Sequence, residues 1–180
     1  NTMKKLILTI VLISLGLALT AQTAEEYYNR GVSKRILEDY KGAIADYTKA
    51  IELDPNNSDF YYNRGLSKYY LEDYYGAIAD HTKSIEIDPN DSDFYYNRGL
   101  SKYYLEDYYG AIADYTKSIE IDPNNSDVYY NRGLSKYYLE DYYGAIADYT
   151  KSIEIDPNDS DFYYNRGLSK YYLGDYYGAC

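Results

Sequence analysis

The chain has 180 residues, with 18 Lys and Arg against 29 Asp and Glu and a formal net charge of −11. That acidic surplus repels phosphate backbones and anionic lipid, so it argues against nucleic acid as a partner and favours neutral or basic ligands. One cysteine, Cys180, and one histidine leave no intramolecular disulfide framework, no Cys-based metal centre and no His-based triad, so no cofactor, metal or catalytic residue is expected. Tyrosine is the outlier, with 30 copies and no Trp. Its ring and hydroxyl suit half-buried surfaces.

Asn1 and Thr2 precede the first Met, followed by Lys4, Lys5, the apolar run Leu6 to Leu19 and the small residues Ala18, Thr20 and Ala21. This order predicts a secretory signal peptide over residues 3–21. The apolar run is short of the roughly 20 residues that span a bilayer, so no stable membrane span is expected. No Cys follows it to carry a lipid anchor. The expected location is outside the cytoplasm, periplasmic or secreted.

From Ala24 the chain repeats with a period of 34 residues: 24–57, 58–91, 92–125, 126–159 and a partial copy, 160–180. In the unit 92–125, Asp93, Tyr96, Asn97, Leu100 and Tyr103 or Tyr104 recur at steps of three and four and so share one side of a first helix, A. A second helix, B, is expected from about Tyr109 to Ile121, with Ala111, Ile112, Tyr115, Ser118 and Ile119 on its apolar side. Glu106 and Asp107 form the turn between them. Pro123 stops helix B, and Ser126 is expected to cap the next helix, with Asp127 facing its positive end. Gly99 inside helix A is expected to face a small Ala and let the two helices approach closely. The first copy has Arg35, Ile36 and Lys41 where the second has Tyr69, Tyr70 and Tyr75, the more polar end unit a stacked array needs. The last copy stops inside helix B, which reads as an interrupted repeat.

Tyr95, Gly99, Ala111, Tyr115 and Pro123 stand at the spacings of the tetratricopeptide repeat, and the chain from Ala24 to Cys180 resembles that family. Arg98 and Lys102 depart from it, standing where Leu and Tyr are usual. The resemblance implies an all-α, right-handed superhelical solenoid of helix-turn-helix repeats whose A helices line a concave groove. The positions that resemble groove-facing ones are Asp59, Tyr62, Asn63, Leu66 and Tyr69 in the second copy, Asp93, Tyr96, Asn97, Leu100 and Tyr103 in the third, and Asp127, Tyr130, Asn131, Leu134 and Tyr137 in the fourth. It implies a non-catalytic scaffold for a protein or extended peptide, and the residues favour one that is neutral or basic and apolar. Acidic C-terminal tails are disfavoured, since Asp93 and Tyr96 occupy places where clamping cations would stand. The alternatives are a structural repeat protein that associates end to end and an accessory module of a larger exported protein.

Rival motifs have plainer readings. His81 replaces the Tyr found at Tyr47, Tyr115 and Tyr149, so it fills a packing slot. Glu106 and Asp107 recur in every copy, as solvated turn residues do. The run from Asp88 to Asp93 resembles a calcium loop, but that pattern needs Gly at its sixth place and Glu at its twelfth, where this chain has Asp93 and Gly99. The Asn-x-Ser triplets at Asn56, Asn90, Asn124 and Asn158 read as turn residues, not glycan acceptors.

Overall fold

The computed structural model describes residues 22–178; the signal peptide expected over residues 3–21 and Cys180 lie outside them. Among the described residues there are nine helices and no strand: α1 (Ala24–Ile36), α2 (Tyr40–Leu53), α3 (Ser58–Tyr70), α4 (Tyr74–Ile87), α5 (Ser92–Tyr104), α6 (Tyr108–Ile121), α7 (Ser126–Tyr138), α8 (Tyr142–Ile155) and α9 (Ser160–Tyr172). Odd-numbered helices are the A helices and even-numbered ones the B helices. Each A helix packs on its own B helix, and each B helix on the A helix that follows. Consecutive A helices also touch one another while consecutive B helices do not. The A side is therefore the inner side of the solenoid's curve.

Local chemistry sets each joint. Glu106 takes a left-handed conformation, φ 62°, and its N–H donates to the Tyr103 carbonyl at 2.9 Å while the Asp107 N–H donates to that of Lys102 at 3.0 Å. These bonds close the end of α5 in a Schellman motif. Asp107 then caps α6, its Oδ1 accepting from the Gly110 N–H at 3.0 Å. At the other joint Pro123 holds Asp122 out of the helical region, at φ −127° and ψ 102°, so α6 ends at Ile121. The Tyr129 hydroxyl donates to the Pro123 carbonyl at 3.3 Å and ties the link down.

Two expectations are corrected. Ser126 is not the cap of α7: it has already entered the helix, and Asn125, still extended, accepts from the Asp127 N–H at 3.0 Å. The N-cap must be non-helical for its side chain to reach the free N–H groups, and Asn57, Asp91 and Asp159 do the same work in their copies. Nor does Gly99 face a small Ala. A Cβ there would lie 2.7 Å from Cε1 and 2.9 Å from Cδ1 of Tyr115, so the glycine makes room for the ring of a fully buried tyrosine. Tyr115 and Ala111 of α6 and Val128 of the following α7 form a core cluster, with Tyr96, Leu100, Tyr103 and Ile119 packed against it. His81 is likewise completely buried and faces Gly65, in the packing slot expected for it.

The two family departures turn out to be partners. The Arg98 guanidinium donates through Nε and Nη2 to both Asp114 carboxylate oxygens, at 2.9 and 2.7 Å, and through Nη1 to Thr82 of the preceding hairpin at 3.1 Å. Lys102 reaches the same carboxylate at 2.7 Å. Asp114 is buried, so this two-cation clasp compensates a charge that would otherwise be costly. It recurs at Arg64, Lys68 and Asp80 and at Arg132, Lys136 and Asp148. Between hairpins, Phe94 packs under the Tyr62 ring with centroids 5.0 Å apart, and Phe162 does the same under Tyr130. In α1 that place holds Glu26, which closes a capping box with Thr23.

Candidate binding face

The fifteen expected positions fall on three consecutive A helices, α3, α5 and α7, on the inner side of the curve, and they do not all remain open. Asp59, Asp93 and Asp127 are exposed in the first turns. Partial shielding from water, then the nearby charges of Asp91 and Asp122, push the Asp93 carboxyl above its usual range. A carboxylate crowded by its own kind gains from an arriving cation. Leu66, Leu100 and Leu134 are half-buried further along the same helices and add apolar area.

The tyrosines and asparagines between them work within the array. The Tyr62, Tyr96 and Tyr130 hydroxyls accept from the side-chain amides of Asn97, Asn131 and Asn165 in the next repeat at 3.2, 3.2 and 3.1 Å. Their rings tilt against His81, Tyr115 and Tyr149. The Asn97 amide also donates to the Asp93 carbonyl at 2.8 Å, so both its N–H groups are engaged and only Oδ1 is left for a ligand. Asn131 repeats this arrangement, and Asn63 is buried, its amide donating to the Asp59 carbonyl and the Tyr28 hydroxyl. Tyr69, Tyr103 and Tyr137 are half-buried at the far end of the face, edge-on to Tyr104, Tyr138 and Tyr172. Burial, then a hydrogen bond with the Tyr172 hydroxyl, pushes Tyr137 up to about 12, so its phenol stays protonated at neutral pH.

What remains accessible is an acidic first turn and a leucine on each of three adjacent helices, framed by tyrosine rings. Every Lys and Arg from Arg64 to Lys151 already has a carboxylate partner: Arg64 and Lys68 with Asp80, Arg98 and Lys102 with Asp114, Arg132 and Lys136 with Asp148, and Lys83, Lys117 and Lys151 with Glu86, Glu120 and Glu154. The unpaired charge on this face is negative, which suits a cationic or neutral ligand. His81 has its pKa lowered to about 4 by burial, the largest of several influences, and is shut off from any substrate. Asp88 accepts from the Asn90 N–H at 3.0 Å and Asp91 from the Asp93 N–H at 2.9 Å, the turn-and-cap roles expected of that run. No group of three or more metal-ligating side chains occurs among the described residues. Nor, among them, is any helix long and apolar enough to cross a membrane.

The Arg98, Lys102 and Asp114 clasp was missed from sequence, although its signal was present: an Arg is followed by Asp sixteen residues later in four successive copies.

A tetratricopeptide repeat model matches residues 24–57, 58–91, 92–125 and 126–159, and a second tetratricopeptide repeat model matches residues 148–180. No curated protein sequence matches the chain. Among solved structures, a crystal structure of MamA is 27% identical with a TM-score of 0.83, covering 87% of this chain and 85% of that one. YrrB, described as a TPR protein with an unusual peptide-binding site, is 22% identical with a TM-score of 0.79 and covers 92% of this chain and 86% of its own. MamA 41-end from Desulfovibrio magneticus RS-1 is 19% identical with a TM-score of 0.84, over 88% and 90% of the two chains. At 22% and 19% identity, those last two likenesses speak for the fold alone.

Proposed function

Since the chain belongs to the tetratricopeptide repeat family, we propose that it is a non-catalytic scaffold, outside the cytoplasm, that holds an extended, neutral or basic peptide segment of a partner protein on its A-helix face. The observation that carries this reading is the row of exposed Asp59, Asp93 and Asp127, backed by Leu66, Leu100 and Leu134, on a surface whose neighbouring cations are all paired. An apolar side chain would lie on the leucines while a cationic one met the aspartates. Location outside the cytoplasm rests on Lys4, Lys5 and the apolar run that follows them. YrrB, a relative in fold, is described as having a peptide-binding site.

The test is selection of binding peptides from a random library on the immobilised chain, followed by affinity measurement on wild type and on Asp59→Asn, Asp93→Asn, Asp127→Asn. The aspartates are a better choice than Tyr96, whose hydroxyl and ring hold neighbouring repeats together and whose loss would confound folding with binding. Enriched basic or neutral sequences that bind the triple variant about tenfold less tightly, roughly 1.4 kcal/mol, support the reading. Equal affinity for both proteins contradicts it.

A further inference from the structure

The edge of the array where each A helix turns into its B helix carries a second surface. Tyr40 stacks on Tyr70, Tyr74 on Tyr104, Tyr108 on Tyr138 and Tyr142 on Tyr172, with ring centroids 5.0, 5.2, 5.1 and 5.4 Å apart and planes within 13° of parallel. Tyr69, Tyr103 and Tyr137 meet these pairs edge-on and join them into one ladder running from repeat to repeat. Beside the ladder stand Tyr75, Tyr109 and Tyr143, each 76% exposed and touching no other ring among the described residues. Three large rings held in water by a repeating sequence contribute nothing to the core, so packing does not explain them.

Each turn adds a carboxylate. Glu72, Glu106 and Glu140 are exposed and have no cationic partner among the described residues. They lie close enough to Tyr74, Tyr108 and Tyr142 to push those phenols upward, after the larger effect of burial. All three are left-handed, at φ 61–62°, where the fifth copy uses Gly174 at φ 80°. Glycine is the less strained choice there, so the side chain, not the backbone, accounts for Glu.

Inside the array the fold shows what ring and carboxylate together hold. The guanidinium carbons of Arg64, Arg98 and Arg132 sit 5.6 to 5.7 Å from the centres of the Tyr61, Tyr95 and Tyr129 rings while pairing with Asp80, Asp114 and Asp148. On the turn edge the ring and the carboxylate are present without a cation of their own: Lys68 and Lys102 reach the Gly76 and Gly110 carbonyls there at 3.5 Å, but their charges are paired with Asp80 and Asp114. We infer that this edge is a second docking surface, for an extended polypeptide segment carrying Arg or Lys at intervals of at least about four residues. The exposed rings stand on consecutive B helices, which do not touch one another, so they lie farther apart than the roughly 8–10 Å of packed helices, and an extended chain advancing about 3.3 Å per residue needs at least about four residues from one cation to the next. The strip runs over the second to fourth hairpins, since Arg35, Ile36 and Lys41 replace Tyr69, Tyr70 and Tyr75 in the first and Lys41 would repel a cation. It uses none of the aspartates or leucines of the A-helix face and does not depend on that reading.

The test is fluorescence anisotropy at about 50 mM salt, where exposed ion pairs are little screened, using the full chain and a labelled peptide of repeated Arg-Ser-Gly-Ser. Wild type should bind it more tightly than a peptide of the same composition with the arginines in one block. Tyr75→Ser, Tyr109→Ser, Tyr143→Ser combined with Glu72→Gln, Glu106→Gln, Glu140→Gln should bind it at least about tenfold less tightly, since three cation–π contacts are removed. Asp59→Asn, Asp93→Asn, Asp127→Asn should bind it as wild type does. Should the sixfold variant lose its helical circular dichroism, the three Glu→Gln changes alone, which keep every ring, should still weaken binding several-fold. Failure of wild type to bind, equal binding of the block peptide, edge variants that bind as wild type, or a loss confined to the aspartate variant would each overturn the inference; the last would leave the A-helix reading intact.

Discussion

Replacing Gly99 with alanine sets two effects of opposite sign against each other. Alanine in a helix interior is favoured over glycine by about 1 kcal/mol, and at an exposed site the change would stabilise. At Gly99 the added Cβ would lie 2.7, 2.9 and 3.2 Å from Cε1, Cδ1 and Cζ of Tyr115, where carbon atoms normally stay about 3.5–4.0 Å apart. Tyr115 is fully buried against Ala111 and Val128, so its ring has no free space into which to retreat. Overpacking of this kind costs up to about 3 kcal/mol, which outweighs the propensity gain and leaves a net loss of about 2 kcal/mol. For a chain of this size that lowers the thermal midpoint by about 4–8 °C. Urea unfolding followed by helical circular dichroism measures the change, with Tyr115→Leu and the Gly99→Ala, Tyr115→Leu double variant completing a cycle. The double variant should recover about 1 kcal/mol relative to the sum of the single changes, because the smaller leucine yields space to the methyl group. A higher midpoint for Gly99→Ala than for wild type would refute the packing argument.

Three further outcomes follow from the buried polar groups. The Tyr115 hydroxyl has no partner in the core, so Tyr115→Phe should stabilise the chain by about 1 kcal/mol, measured by the same urea titration. His81 stays neutral in the folded chain down to about 4 but takes up a proton near 6.5 when unfolded. The stability it leaves intact above 6.5 should therefore fall by about 1.4 kcal/mol per pH unit as the pH drops toward 4. Unfolding wild type and His81→Tyr across that range isolates this contribution, since the variant should lack it. Asp114→Ala strands two cations around a half-buried site and should cost about 3 kcal/mol, whereas Arg98→Leu with Asp114→Leu should cost less than the single change, as apolar replacements of buried pairs do.

The hairpin was legible because its signals are local. Pro123 ends α6 through its own ring, Asp107 caps α6 through a bond three residues long, and the three-and-four spacing of Ala111, Tyr115 and Ser118 marks the buried side of α6. Where the structure differs from these expectations, the contact mostly joins elements far apart. Periodicity places Gly99 on a face without saying which residue arrives from the other helix, and that residue is the Tyr115 ring, not a small Ala. Arg98 and Lys102 depart from the family pattern because Asp114, on the other helix, holds both. The cap of α7 lies one residue before the expected Ser126, because Asn125 and Ser126 are both good caps and only the backbone angles decide between them. On the A helices, sequence pattern places Asp93, Tyr96, Asn97 and Leu100 on one side but cannot tell open positions from engaged ones. Tyr96 and Asn97 share a face with Asp93 and Leu100, yet their polar groups are tied to neighbouring repeats through bonds spanning 35 residues.

The most direct test of the scaffold reading is the affinity of a library-selected basic or neutral peptide for wild type and for Asp59→Lys, Asp93→Lys, Asp127→Lys, with helical content checked for both. Reversing these exposed charges leaves every core contact in place and places three cations on the A-helix face. Binding weakened by about a hundredfold, roughly 2.7 kcal/mol, is the expected result. Unchanged binding by a folded variant would contradict the placement of the ligand on that face.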